Sequence, residues 1–231
     1  MNKTRKKIYI NINLENEEII YSGITFIEFI KYLNQPLQNI ILLKADYMGN
    51  KCEHNFEILE GTERIAKLFD EDIYNYGDFC FIDYQEKNVV SNLSEQNVAE
   101  LLYIAHMFKP LESPFIDMLQ NRFVYLAHDD GFYCKLFCKD MNDFMVVLCK
   151  KIFGLKIYDI QNTIFAKLIE LSSSGIIIDL DEMQKDDSNI KIYTIGKYSN
   201  MDIVLNNFEK MKNNAIKSNN LRYNNGNWIL S

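Results

Sequence analysis

Between Arg122 and Lys139 two runs of alternating apolar residues flank Asp130-Gly131, a dipeptide suited to the two-residue type I′ turn of a β-hairpin. Such a loop sets Asp129 opposite Phe132, and the register then counts outward. Phe123, Tyr125 and Ala127 fall on one face with Cys138, Leu136 and Cys134, and that face is wholly apolar or aromatic. The other face carries Arg122, Val124, Leu126 and His128 with Tyr133, Lys135, Phe137 and Lys139. Its mixed character suits a surface partly covered by a helix or a partner. A three-residue loop would shift this pairing. Asp140 follows as the cap of a helix to Phe153, with Gly154 in the C′ position.

The order of hairpin then helix recurs. Asn39 to Tyr47 and Cys52 to Leu59 flank Met48-Gly49-Asn50-Lys51, and Thr62 caps a short helix to about Phe69. Ile176-Ile177-Ile178 and the alternating Ile190, Ile192 and Thr194 form another pair, followed by a helix from Met201 to about Ile216. These ββα units, at 39–69, 122–153 and 176–216, are irregularly spaced and share no residues, so they are not a sequence repeat. They favour the α+β class, with largely antiparallel sheets built from hairpins followed by helices, over a doubly wound fold.

The remaining elements fit that class. Ile8, Ile10 and Ile12 alternate with Tyr9, Asn11 and Asn13 as a half-buried strand, and Glu18 to Ser22 predicts a second. Thr25-x-x-Glu28 has capping-box spacing for a helix ended by Pro36. Phe79 to Tyr84 reads as a strand, and Ser94 caps a helix whose second half is apolar nearly all round. Ser113-Pro114 predicts the start of a short helix, and Ile160 to Ser172 another helix. Asn225-Gly226 closes a last hairpin, with Leu221, Tyr223, Trp228 and Leu230 on one face. The polar segment 85–93 is the best candidate for a boundary, dividing 1–88 from 94–231 unless the chain forms a single domain.

Of 231 residues, 48% are hydrophobic and 25% charged, a composition that supports a packed core without disulfide or metal. Five cysteines without a secretory signal predict reduced thiols in a cytoplasmic protein. Cys134 and Cys138 on one strand would stand about 13 Å apart, too far for a disulfide or a shared metal. A net charge of −7 with four arginines argues against nucleic acid as a partner. No stretch approaches the roughly 20 apolar residues that span a bilayer, so no membrane role is expected.

Candidate chemistry centres on the histidines. His106 on the apolar helix, with His128, Asp129 and Asp130 on the hairpin and Glu112 between, could hold Zn²⁺ or Mn²⁺ with an open position for water. No local metal motif supports this, and turn chemistry already accounts for Asp129-Asp130-Gly131. Cys52-x-His54 lacks a second ligand pair. No phosphate-binding glycine loop or nucleophile elbow is present, and no cofactor is predicted. The acidic runs Asp70-Glu71-Asp72 and Asp179 to Asp187 read first as solvated loop charge and second as a patch that steers a basic partner. Tyr74, Tyr76 and Phe79, near the first run, are residue types that serve equally as interface anchors and as core.

The stretch His106-Met-Phe-Lys-Pro-Leu-Glu-Ser-Pro-Phe, continued by Asn121-Arg-Phe-Val-Tyr-Leu-Ala-His-Asp-Asp-Gly-Phe, resembles a group of small uncharacterised proteins of low-GC Gram-positive bacteria. Some members carry an oxalate:formate antiporter label. The resemblance covers mainly 94–140 and implies no catalytic residues. The transporter label implies membrane spans, which the sequence does not provide. The expectation is an acidic cytosolic binding or regulatory module acting through protein interaction. The alternative is a metal-assisted hydrolase with a site around His106, His128 and Asp129.

Overall fold

A computed structural model describes residues 6–46, 53–71, 77–107, 110–128, 132–153, 162–182, 189–198, 200–224 and 227–231. At 45–46, 53–56, 106–107, 162–163, 223–224 and 227 it describes the backbone alone. The chain divides into two compact units. One is the continuous stretch Asn34–Asp140, and the other joins Met1–Leu33 to Met141–Ser231. Every strand ladder described within the units is antiparallel, and helices accompany both, so the α+β class holds. Residues 85–93 lie inside Asn34–Asp140, where Val89–Asn92 forms a 3-10 turn.

The discontinuous unit holds β1 (Lys7–Asn13), β2 (Glu18–Ser22), β8 (Ile176–Asp179), β9 (Asn189–Thr194), β10 (Lys217–Asn224) and β11 (Asn227–Leu230), in the sheet order β11-β10-β9-β8-β1-β2. Its helices are α1 (Phe26–Tyr32), α4 (Met141–Phe153), α5 (Asn162–Ser172), α6 (Met201–Asn206) and α7 (Phe208–Asn213). The alternation in β1 predicts one buried face, yet Ile8, Tyr9 and Ile10 are all buried. The physical reason is that α5 packs on β1 over the Tyr9 face, where Asn11, two residues on, donates through Nδ2 to the Ser172 carbonyl at 3.3 Å. The capping box of α1 forms as expected: Thr25 Oγ1 accepts from the Glu28 N–H at 3.2 Å, and Glu28 Oε2 accepts from the Thr25 N–H at 2.9 Å. Glu28 also pairs with Lys151 of α4 at 2.5 Å, tying the two helices together. On the β2 side, Phe144 of α4 lies 5.1 Å from Tyr21, ring to ring. Gly175, at φ +72°, turns α5 into β8 where any Cβ would come within 2.1 Å of the Gly196 carbonyl oxygen.

The helix expected from Met201 to Ile216 is two helices. Asn207 leaves helical geometry at φ −132°, and its side-chain amide donates to the Ile203 carbonyl at 2.8 Å, a local bond that competes with the helix ladder. In the last hairpin Leu221 faces Leu230 and Tyr223 faces Trp228, the expected register, and Trp228 packs 3.9 Å from Phe153. The turn residues 225–226 lie outside the described residues.

Asn34–Asp140 holds β3 (Asn39–Asp46), β4 (Glu53–Glu60), β5 (Phe79–Tyr84), β6 (Phe123–His128) and β7 (Tyr133–Cys138) in the order β7-β6-β5-β3-β4, with α2 (Thr62–Lys67) and α3 (Glu95–Met107). Phe123 faces Cys138, Tyr125 faces Leu136 and Ala127 faces Cys134, the register counted from the turn signal. Val124, Leu126 and Phe137, on the mixed face, pack with Leu101, Ile104 and Ala105 of α3. On the other face Phe81 and Tyr125 stack across β5 and β6 at 5.0 Å.

Three expectations in this unit are corrected. Thr62 is the first residue of α2, and Gly61 is its cap, without a side-chain bond. The apolar second half of α3 predicts burial on several sides, but the helix buries one face, Leu101, Ile104 and Ala105, and leaves Leu102 39% exposed. No helix starts at Ser113-Pro114. Ser113 Oγ takes the Phe115 N–H at 3.1 Å, and Asn121 Oδ1 takes the Ile116 N–H at 2.8 Å, so side chains satisfy donors that a helix would otherwise use.

Candidate functional site

His128 ends β6 and stacks on Tyr133, its cross-strand partner, with ring centroids 4.6 Å apart and planes 8° from parallel. Burial lowers its pKa; Asp78 opposes that effect and Lys135 adds to it, so the site favours the uncharged ring. His106 lies in the last turn of α3, and its side chain is outside the described residues, as are Asp129, Asp130, Cys52, Tyr74, Tyr76 and the side chain of His54. Glu112 is exposed on the connector between α3 and β6. Among the described residues no group of three or more His, Cys, Asp or Glu side chains is placed to hold a metal ion. Cys80, Cys134, Cys138 and Cys149 are buried and in no disulfide, and burial pushes the Cys149 thiol up to about 12, which keeps it protonated. Phe79 is a core residue, 2% exposed.

The acidic run that opens at Asp179 is not simply solvated. Asp179 ends β8 and is 1% exposed, buried under Lys212 of α7. Lys212 Nζ donates to Asp179 Oδ2 at 2.5 Å, Glu182 Oε1 at 2.8 Å and Glu209 Oε2 at 3.1 Å. Three donors meet three carboxylates, so the ammonium is saturated. Burial opposes its charge, yet these hydrogen bonds hold its pKa above that of an ordinary lysine. Tyr193 of β9 donates to Glu182 Oε2 at 2.6 Å, and burial together with that bond raises the phenol to about 12. Lys7 pairs with Glu209, and Lys6 with Asp181 at 2.9 Å. An ammonium so bound is a structural pin between α7 and the sheet, not a nucleophile or base.

A second buried charge lies in the other unit. Asp83, the only charged residue in Phe-Cys-Phe-Ile-Asp-Tyr, is 1% exposed. Its Oδ1 accepts from the backbone N–H groups of Arg122 at 2.8 Å and Phe123 at 2.7 Å, and its Oδ2 from Arg122 Nε at 3.4 Å. Burial pushes its pKa up to about 6 against the pull of those donors. The guanidinium of Arg122 continues to Gln35, reaching its side-chain oxygen at 3.2 Å and its carbonyl at 3.3 Å. Lys212, Asp83 and Arg122 were not singled out from the sequence as a set. The available signal for Asp83 was a lone charge inside an apolar strand.

With these charges located, the electrostatic balance divides by unit. Asn34–Asp140 carries 18 Asp+Glu against 9 Lys+Arg, net −9, while the discontinuous unit carries 14 against 16, net +2, which together give the chain's −7. The acidic character therefore belongs to one unit. No helix among the described residues is long and apolar enough to cross a membrane. No family model matches the chain, and neither a curated protein nor a solved structure does. The class defined by the fold is an α+β protein with antiparallel sheets, in which a continuous acidic unit interrupts a discontinuous one.

Proposed function

We propose that the chain is a cytosolic binding or regulatory module that acts through protein interaction, and that its partner is basic. The segregation of charge carries this reading: net −9 over Asn34–Asp140 is a field that speeds association with an opposite charge and rejects nucleic acid. A toxin-neutralising immunity protein is one instance of such a module. Kinship with the small Gram-positive proteins that residues 94–140 resemble is part of the same proposal. The test is cross-linked capture from the source cells, followed by binding measurements with the purified partner. A basic partner whose association rate falls steeply with salt is expected; repeated capture of none, or of a partner whose binding is indifferent to salt, overturns the reading.

The alternative, a metal-assisted hydrolase around His106, His128 and Asp129, is supported by the burial of His128, which favours the uncharged imidazole that ligates Zn²⁺ or Mn²⁺. Stoichiometric metal in the purified protein, lost on His128→Ala with folding intact, would replace the binding reading with this one.

A further inference from the structure

The connector Pro110–Asn121 joins α3 to β6 without helix or strand, yet its own side chains organise it. Asn121 is 1% exposed, and besides accepting from the Ile116 N–H it donates through Nδ2 to the Pro114 carbonyl at 3.1 Å and the Phe123 carbonyl at 3.4 Å. Ile116 and Leu119 anchor the segment in the core, and the Leu119 carbonyl accepts from the Gln85 N–H at 3.2 Å. Long ordered segments without regular structure are concentrated at functional places in compact domains.

This frame exposes two pairs of sequence neighbours, one apolar and one acidic residue in each, while Lys139 lies 6.0 Å from the ring centroid of Phe115, which stands between the pairs in the chain. Leu111 is 57% and Met118 44% exposed, each beside an exposed carboxylate, Glu112 and Asp117 respectively. Among the described residues neither carboxylate is paired with a lysine or arginine. Large apolar side chains held outward on a rigid support are the type of surface that serves as an interface anchor. The acids beside them select the sign of what can cover them.

We propose that the outward side of this connector is the docking surface of the acidic unit, and that its occupant is a protein segment with an apolar anchor flanked by lysine or arginine. This rests on the interaction reading above and names the surface and the partner's chemistry.

A displayed library of short random peptides, selected on the intact chain at physiological ionic strength, tests it. Enrichment of apolar residues flanked by Lys or Arg is expected, and those peptides should bind Leu111→Ser/Met118→Ser and Glu112→Lys/Asp117→Lys at least about tenfold more weakly. Glu63→Lys/Asp70→Lys makes the same change of charge elsewhere in the unit and should weaken binding far less. All these side chains are exposed, so a thermal melt equal to the parent's should confirm folding in each variant. Equal weakening by both charge-reversed pairs sinks the docking surface while leaving the interaction reading intact. Selection of no peptide, or of peptides without basic residues, overturns the interaction reading itself. A chain that elutes as a dimer, and as a monomer after Leu111→Ser/Met118→Ser, assigns the surface to a second copy instead.

Discussion

The two units bury charge in different ways. In the discontinuous unit Lys212 is neutralised by three carboxylates drawn from β8, the turn after it and α7, of which Glu182 and Glu209 are partly exposed. In Asn34–Asp140 the carboxylate of Asp83 is held mainly by two backbone N–H groups, with one guanidinium at longer range. Side-chain neutralisation keeps an ion ionised at the expense of several ordered side chains. Backbone donors are fixed by the ladder itself, yet they supply no full charge, so burial still raises the pKa of Asp83. The first centre is sensitive to removal of the ion and the second to pH.

The largest effect expected from breaking this contrast is at Lys212. Lys212→Met strands Asp179, 2% exposed at its side chain, without a counterion and should cost about 3–5 kcal/mol in urea unfolding. Replacing Asp179 as well, by Leu, should recover part of that loss, since an apolar pair carries no buried charge.

Asp83 should show the pH effect. Its folded pKa of about 6 lies above the unfolded value of about 3.9, so the folded chain retains a proton that the unfolded chain releases. This group favours folding most fully below pH 4, and that contribution is lost as pH rises through 6. At about 1.4 kcal/mol per pH unit the change is about 3 kcal/mol. Asp83→Asn retains an oxygen for both N–H groups, so unfolding midpoints of parent and variant should converge at one end of that range and diverge at the other. A constant difference between pH 4 and 7 would contradict the assignment.

Asn121→Ala sharpens the comparison by removing a buried group that is polar but uncharged. It leaves the Ile116 N–H without its acceptor and should cost about 1–2 kcal/mol, less than either charged centre. Lys6→Gln should be the smallest change, with no resolvable shift in the melt, because Lys6 and Asp181 pair on the surface at 60% and 51% exposure.

Much of the fold was legible in the sequence where local chemistry and periodicity agree. The β6–β7 register follows from alternation counted outward from Asp130-Gly131, and the α1 cap from Thr25-x-x-Glu28. What escaped was set by distant chain. Tyr9 reads as the exposed half of an alternating strand until α5, whose first residue is Asn162, covers that face. Asp179 reads as the start of a solvated run until Lys212, 33 residues on, covers it. The acid-rich runs suggested where charge lay, but its division between units needed the unit boundaries at 33/34 and 140/141, which no local pattern marks. The connector was read as helix because Ser-Pro is a helix-start signal, and the competing acceptor, Asn121, lies downstream of it.

The interruption of one unit by the other has a consequence for biosynthesis. During translation Asn34–Asp140 is complete as a continuous stretch while the discontinuous unit still lacks most of its sheet. The β1–β2 hairpin is made before Asn34–Asp140, but the other edge of Lys7 to Ile10 stays without its partner until Ile176 to Asp179 have been made. Over that interval one edge of β1 presents backbone N–H and C=O groups without their partners, an open template for any passing strand. The nascent chain is therefore exposed to aggregation in a window set by the length of the insert, and a ribosome-bound chaperone would be most useful there.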